Sequence, residues 1–174
     1  MSESPFPSAA PDFKDPLGLL RACHDRILSH CETLERLVAH LRDKGVDADA
    51  RKAAGKVHRY FSTAGKHHHE DEEKDLFPLL SQVSLKLADA VHRMKKDHER
   101  MDAAWQQLAP ELERLGRLED LDLFEAHVNE FNSAYRDHIA TENEDILDIA
   151  QHLLSTDQLK RLGKAMASRR GQNV

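Results

Sequence analysis

The sequence predicts an all-α protein: an up-down-up-down four-helix bundle with a flexible N-terminal arm and a short C-terminal helix. Three observations carry this prediction. Leu and Ala together number 43, whereas Val, Ile and Thr number 15, a balance that favours helix over strand. Apolar residues recur at 3-4-3-4 spacing through long stretches of the chain, the period of one helix face. The breaks between those stretches are a few residues long, so consecutive helices should lie antiparallel.

The elements follow in order. Residues 1–15 are rich in proline and serine and show no periodicity; they read as a flexible arm. The remainder, residues 16–170, reads as one domain. Helix one spans Pro16 to Lys44, with Pro16 suited to a first helical position and Gly45 to a stop. Helix two spans Asp49 to Leu80, with Pro78 disturbing its last turn. Helix three spans Ser84 to Leu115, stopped by Gly116, and Pro110 should kink or break it. Helix four spans Glu119 to Leu154. A fifth, short helix begins at Ser155-Thr156-Asp157-Gln158, the pattern of a capping box.

Each long helix carries one apolar stripe, and a histidine interrupts every one of them. Helix one reads Leu17, Leu20, His24, Ile27, Cys31, Leu34, Val38, Leu41. Helix two reads Val57, Phe61, Ala64, His68, Glu72, Leu76, Leu79. Helix three reads Leu87, Val91, Met94, His98, Met101, Trp105, Leu108, Leu112. Helix four reads Phe124, Val128, Phe131, Tyr135, His138, Glu142, Ile149, Leu153. In two stripes a glutamate follows the histidine at i+4, which stacks imidazole and carboxylate on one face. A buried carboxylate without a partner costs several kcal/mol. Two of them among four histidines call for a cation, and the nitrogen/oxygen donor set suits a transition metal. Counted from the bundle ends at 1.5 Å per residue, the four histidines fall within roughly 12 Å of one another in height, compatible with a single layer.

Composition bounds the rest. A net charge of −6 argues against nucleic acid or an anionic membrane as the main partner. No apolar run approaches the ~18 residues of a membrane span, and the start of the chain lacks the pattern of a secretory signal. Cys23 and Cys31, two turns apart on one helix, lie roughly 12 Å apart along its axis, too far for a disulfide. Two free thiols suggest the cytoplasm.

With these residues in view, the chain resembles the hemerythrin-like, or HHE cation-binding, family. The match rests on His24 in Cys23-His24-Asp25-Arg26-Ile27, on His68-x3-Glu72-Glu73-x2-Leu76-Phe77-Pro78, on His98 in Asp97-His98-Glu99, and on His138-x3-Glu142. The resemblance implies a four-helix bundle holding two non-haem iron ions, bridged by the two carboxylates and an oxo or hydroxo group. It also implies dioxygen, another small oxidant or iron itself as what the protein binds or senses. The implied metal ligands are His24, His68, Glu72, His98, His138 and Glu142. His69 joins them because some relatives use the residue directly after the second-helix histidine. The oxygen-carrying members place two histidines four apart on the third helix, whereas the positions four either side of His98 are Met94 and Asp102. Glu73 reads as an outer partner of the site and His67 as part of a solvated face. Tyr135, one turn before His138, either packs or donates a hydrogen bond to the site.

No Glu-x-x-His pair of the ferritin-like di-iron type and no His-Glu-x-x-His occurs in the chain. The alternative reading is a metal-free or zinc-filled helical module with an interaction or structural role. No catalysed reaction is assigned; the expectation is a binding or sensing protein.

Overall fold

The computed structural model describes residues 11–173, and among them the regular structure is entirely helical. Helix α1 spans Pro16–Lys44. Helices α2 (Ala48–Ser62) and α3 (Ala64–Asp71) follow, then a π-helical turn, π1 (Glu72–Leu76), and α4 (Phe77–Val83). Helix α5 spans Leu85–Glu113 and is followed by a 3-10 turn at Leu115–Arg117. Helix α6 (Leu121–Thr141) runs into a second π turn, π2 (Glu142–Leu147), and α7 (Asp148–Leu153). Helix α8 (Thr156–Arg169) is the last helix among the described residues.

Local chemistry sets the boundaries. Asp15, Asp47, Ser84 and Asp120 each accept a backbone N–H from the first turn of the following helix, satisfying a donor that would otherwise be orphaned. Gly45 ends α1 at φ +72°, a conformation that favours glycine. Ser155 and Gln158 form the reciprocal capping box expected at the start of α8. Pro110 does not break α5. It lies in the last turn, and the helix continues to Glu113, with the Arg114 N–H bonded to the Pro110 carbonyl. The helix ends before Gly116, which sits inside the 3-10 turn instead.

Helix two is interrupted where one continuous rod was expected. Thr63, at φ −126° and ψ −83°, separates α2 from α3. The two π turns then change the face of everything downstream. Each turn holds an extra residue, which moves the following side chains by about 100° around the axis. Leu79 and the pair Ile149 and Leu153 therefore do not carry the buried stripe. Phe77 and Leu80 are fully buried in the first case, and Ile146, Leu147, Ala150 and Leu154 are buried in the second. Ile149 and Leu153 are instead 38% and 45% exposed.

Helix α1 packs on α2 and α6, and α5 packs on the same two helices, closing a ring of four. Contacts between α1 and the α6–α7 rod pair Arg42 with Asp122, Cys31 with Asn132, His24 with Asn143 and Arg21 with Asp148. The core consists of two apolar clusters. One centres on Ile27, Leu34, Phe61, Met101 and Phe131, the other on Leu20, Leu76, Phe77, Met94, Ile146 and Met166. His24, between Leu20 and Ile27 on α1, and His98, between Met94 and Met101 on α5, lie where the two clusters meet. Residues 1–10 of the expected arm lie outside the described residues. Phe13 packs on the second cluster, its backbone carbonyl against Gly163 of α8, where a Cβ would stand 1.9 Å from it. Among the described residues no helix is long and apolar enough to cross a membrane.

Candidate metal centre

Six polar side chains fill the layer between the two apolar clusters, and all are buried. His24 comes from α1, His68 from α3, His98 from α5 and His138 from α6. Glu72 and Glu142 are each the first residue of a π turn. The i, i+4 spacing brings His68 Nε2 to 2.7 Å from Glu72 Oε1 and His138 Nε2 to 3.3 Å from Glu142 Oε2. Both pairs thus end at a widened turn, a feature concentrated at functional positions in helices.

The four Nε2 atoms converge on the two carboxylates. Glu72 Oε1 faces His24 at 3.6 Å as well as His68, while its Oε2 lies 3.1 Å from His98. Glu142 Oε2 lies between His138 and His24, 3.1 Å from the latter. Two sets of donor atoms result, each within 4.8 Å of one another: His24, His68, Glu72 and Glu142, and Glu72, His98 and His138. Glu72 belongs to both.

The donor set fits a metal. Both oxygens of Glu72, both of Glu142, and His24 Nε2 are buried without a hydrogen-bond partner, because their close contacts are not oriented as hydrogen bonds. Native interiors rarely tolerate such groups, and a cation at the convergence point satisfies them together.

Electrostatics point the same way. Burial disfavours the imidazolium of His24, but Glu142 and Glu72 outweigh it and raise its pKa to about 9. His68 is raised well above its ordinary value against the same burial penalty, chiefly by Glu72, and His98 is raised, also by Glu72. Burial would raise Glu72, yet His68, His24 and His98 hold it well below the usual carboxylate range. Without a metal, protons on the imidazoles supply the positive charge that the two carboxylates demand.

Two of the four outer nitrogens are held in turn. His24 Nδ1 lies 2.8 Å from Asn143 Oδ1, and His98 Nδ1 lies 2.7 Å from Glu73 Oε1. Asp97 stands 3.5 Å from His138 Nδ1 without bonding it, and that nitrogen and His68 Nδ1 have no hydrogen-bond partner among the described residues. Partners of the kind Asn143 and Glu73 provide fix ring orientation and tautomer at metal sites. Glu73 follows Glu72, and Asn143 follows Glu142; each reaches a histidine on the other helical hairpin. Sequence reasoning missed Asn143, although its place after the second glutamate, matching that of Glu73 after the first, was a usable signal. It also missed Asp71. This fully buried carboxylate precedes Glu72 and receives Arg169 and Arg170 from the end of α8. Beside His68 lies the Cys23 thiol; burial alone would raise it, but the imidazole holds it below its ordinary value.

His69 lies outside both donor sets. Its ring stacks on His98 at 4.2 Å between centroids and, more distantly, on Tyr135 at 5.8 Å. Its Nε2 is buried without a partner. Burial and the neighbouring positive charge of His98 lower its pKa well below the ordinary value, so the ring is neutral. His67 is half-buried and has no place in the layer. Tyr135 packs against Phe61 and Phe131. His58 packs against Trp105 at a tilt and His127 bonds Glu111, and neither belongs to the donor sets. Met94 lies in the second apolar cluster.

Comparison with known proteins agrees with this chemistry. An uncharacterised protein of Haemophilus influenzae is 30% identical over 158 residues, covering 91% of each chain. The family model for the hemerythrin HHE cation-binding domain matches residues 15–150, a span that contains all six residues of the buried layer. A cation-ready cluster within a matching helical frame thus leads to one conclusion: the chain belongs to the hemerythrin HHE cation-binding domain family.

Proposed function

We propose that this protein holds two non-haem iron ions in its buried His/Glu layer and binds or senses dioxygen, another small oxidant, or iron itself. The observation that carries the reading is the position of Glu72, whose two oxygens face different histidines and which both donor sets share. A carboxylate so placed suits a bridge between two metals. Glu142, between His24 and His138, suits a second bridge. Imidazole and carboxylate donors match iron. When bound, the iron pair supplies redox change and coordination positions that the side chains leave open.

The protein's own groups do the rest. His24, His68, His98 and His138 present Nε2 to the metals, while Asn143 and Glu73 orient two of the rings from behind. His69, neutral and with an unpartnered buried nitrogen, is proposed as the seventh ligand, reached by a swing of its ring from the stack on His98. The surrounding frame is proposed as an up-down-up-down bundle forming one domain over residues 16–170. The contact pairs between α1 and the α6–α7 rod support it, since residue numbers fall along one as they rise along the other. A cytoplasmic location is proposed from the two free, buried cysteines. A metal-free module is disfavoured by the number of buried polar atoms it would leave without partners.

The test is metal content after expression in iron-replete cells. The expected value is about two irons per chain, as in other two-metal sites, with an absorbance change when the anaerobically reduced protein meets air. A reproducible value at or below one, with zinc making up the rest, would overturn the dinuclear reading.

A further inference from the structure

All six residues of the metal layer are at most 2% exposed, so nothing reaches them directly from solvent. A small ligand must pass through the protein, and one cavity leads toward the layer. It has a volume of about 310 Å³, and its lining runs from Ser62, at the end of α2, to His69 and Tyr135. The His69 ring stacks 4.2 Å from that of His98, whose Nε2 is one of the converging donors. The cavity therefore stops one aromatic ring short of the layer.

Its walls define what fits. Phe61, Trp105 and Tyr135 supply aromatic surface. Gly65 has no side chain to fill the space, and a Cβ there would stand 3.1 Å from the Phe61 ring. The lining also carries Lys66 and Lys74 against three acidic residues, Glu70, Glu73 and Asp102. Lys74 is engaged by Glu70 at 3.3 Å, so the lining offers an anion no net attraction.

We infer that this cavity is the entry and holding site for a small uncharged molecule, of the class of dioxygen, nitric oxide or hydrogen peroxide, with His69 and Glu73 as the residues at its inner end, whether the His69 ring rests on His98 or has swung to a metal. The inference rests on the proposed metal-binding reading for its purpose, but the cavity can be tested without metal.

Crystals of the metal-free protein under xenon pressure should show xenon in the cavity, against the rings that line it. Ser62→Phe and Gly65→Leu are two ways to plug the cavity; the plugged variant is the one whose crystals lose the xenon. In that variant, iron-loaded and reduced, oxidation by dissolved oxygen should slow about tenfold, as expected when entry becomes the gated step, with iron content unchanged. The absence of xenon from the cavity of the unaltered protein would overturn the inference. So would an unchanged oxidation rate in the plugged variant. Failure to load iron at all would instead count against the metal-binding reading, and the xenon result would still decide the cavity.

Discussion

Asp71 offers a sharp test of how α8 supports the site. Its carboxylate is 0% exposed and its partners are Arg169 and Arg170. Arg170 reaches it twice, at 3.1 and 2.7 Å, and Arg169 also binds Asp75 at 2.6 Å. Replacing both arginines by alanine leaves a buried charge with no cation, a change that costs about 3–5 kcal/mol. Against a typical total of about 5–15 kcal/mol, that is a large share. Asp71→Asn acts on the other side. It leaves two arginines that are 15% and 20% exposed, one of them still paired with Asp75, and costs about 1–3 kcal/mol. The two perturbations must therefore interact with opposite signs. Asp71→Asn should destabilise the unaltered protein but stabilise the double-alanine variant, because there it removes the stranded charge. Urea unfolding of the four metal-free proteins at neutral pH measures the cycle. If the asparagine lowers stability equally in both backgrounds, the reasoning from desolvation is wrong.

Other predictions concern the layer itself. In the metal-free protein, His24 titrates near 9 rather than 6.5. A raised folded-state value gives stability that is fully present below pH 6.5 and lost as pH rises through 9, about 3 kcal/mol from this group. Thermal melts should show the metal-free protein weakening across that window and the iron-loaded protein, whose cation replaces the proton, holding level and melting higher; a flat metal-free profile would contradict the assignment. His69→Ala should leave roughly one tightly held iron where two are expected and speed oxidation of the reduced site, while His67→Ala changes little. Equal, minor effects on iron content would remove His69 from the ligand set. Glu73→Gln and Asn143→Ala should each weaken metal retention about 10–100-fold, read by competition with a chelator; unaltered retention in both would show that the outer contacts to His98 and His24 do not matter.

Much of the site was legible in the sequence because its key relations are local. His68 with Glu72 and His138 with Glu142 are i, i+4 pairs, and helix geometry alone makes each face one direction. Charged and imidazole groups on otherwise apolar stripes marked the layer, since burial without a cation is costly. The ends of α1 and the capping box of α8 were readable because Pro16, Gly45, Ser155 and Gln158 act on their own turns. The π turns were not readable. A widened turn depends on what packs around it, and both turns displaced the buried face of the residues that follow, exposing Ile149 and burying Ala150. Pro110 was expected to kink or break α5, and the helix continues past it to Glu113, because in the last turn it has little left to lose. Contacts across the bundle, Glu73 to His98 and Asn143 to His24, join residues 25 and 119 positions apart, and no local period encodes such pairings. The same holds for Asp71 and the arginines of α8, 98 and 99 positions away. The sequence by itself determined which residues point inward from each helix as far as the two π turns. Only the packing of the helices against one another decided which of those residues meet, because meeting across a bundle depends on helix phase and register that no single helix specifies.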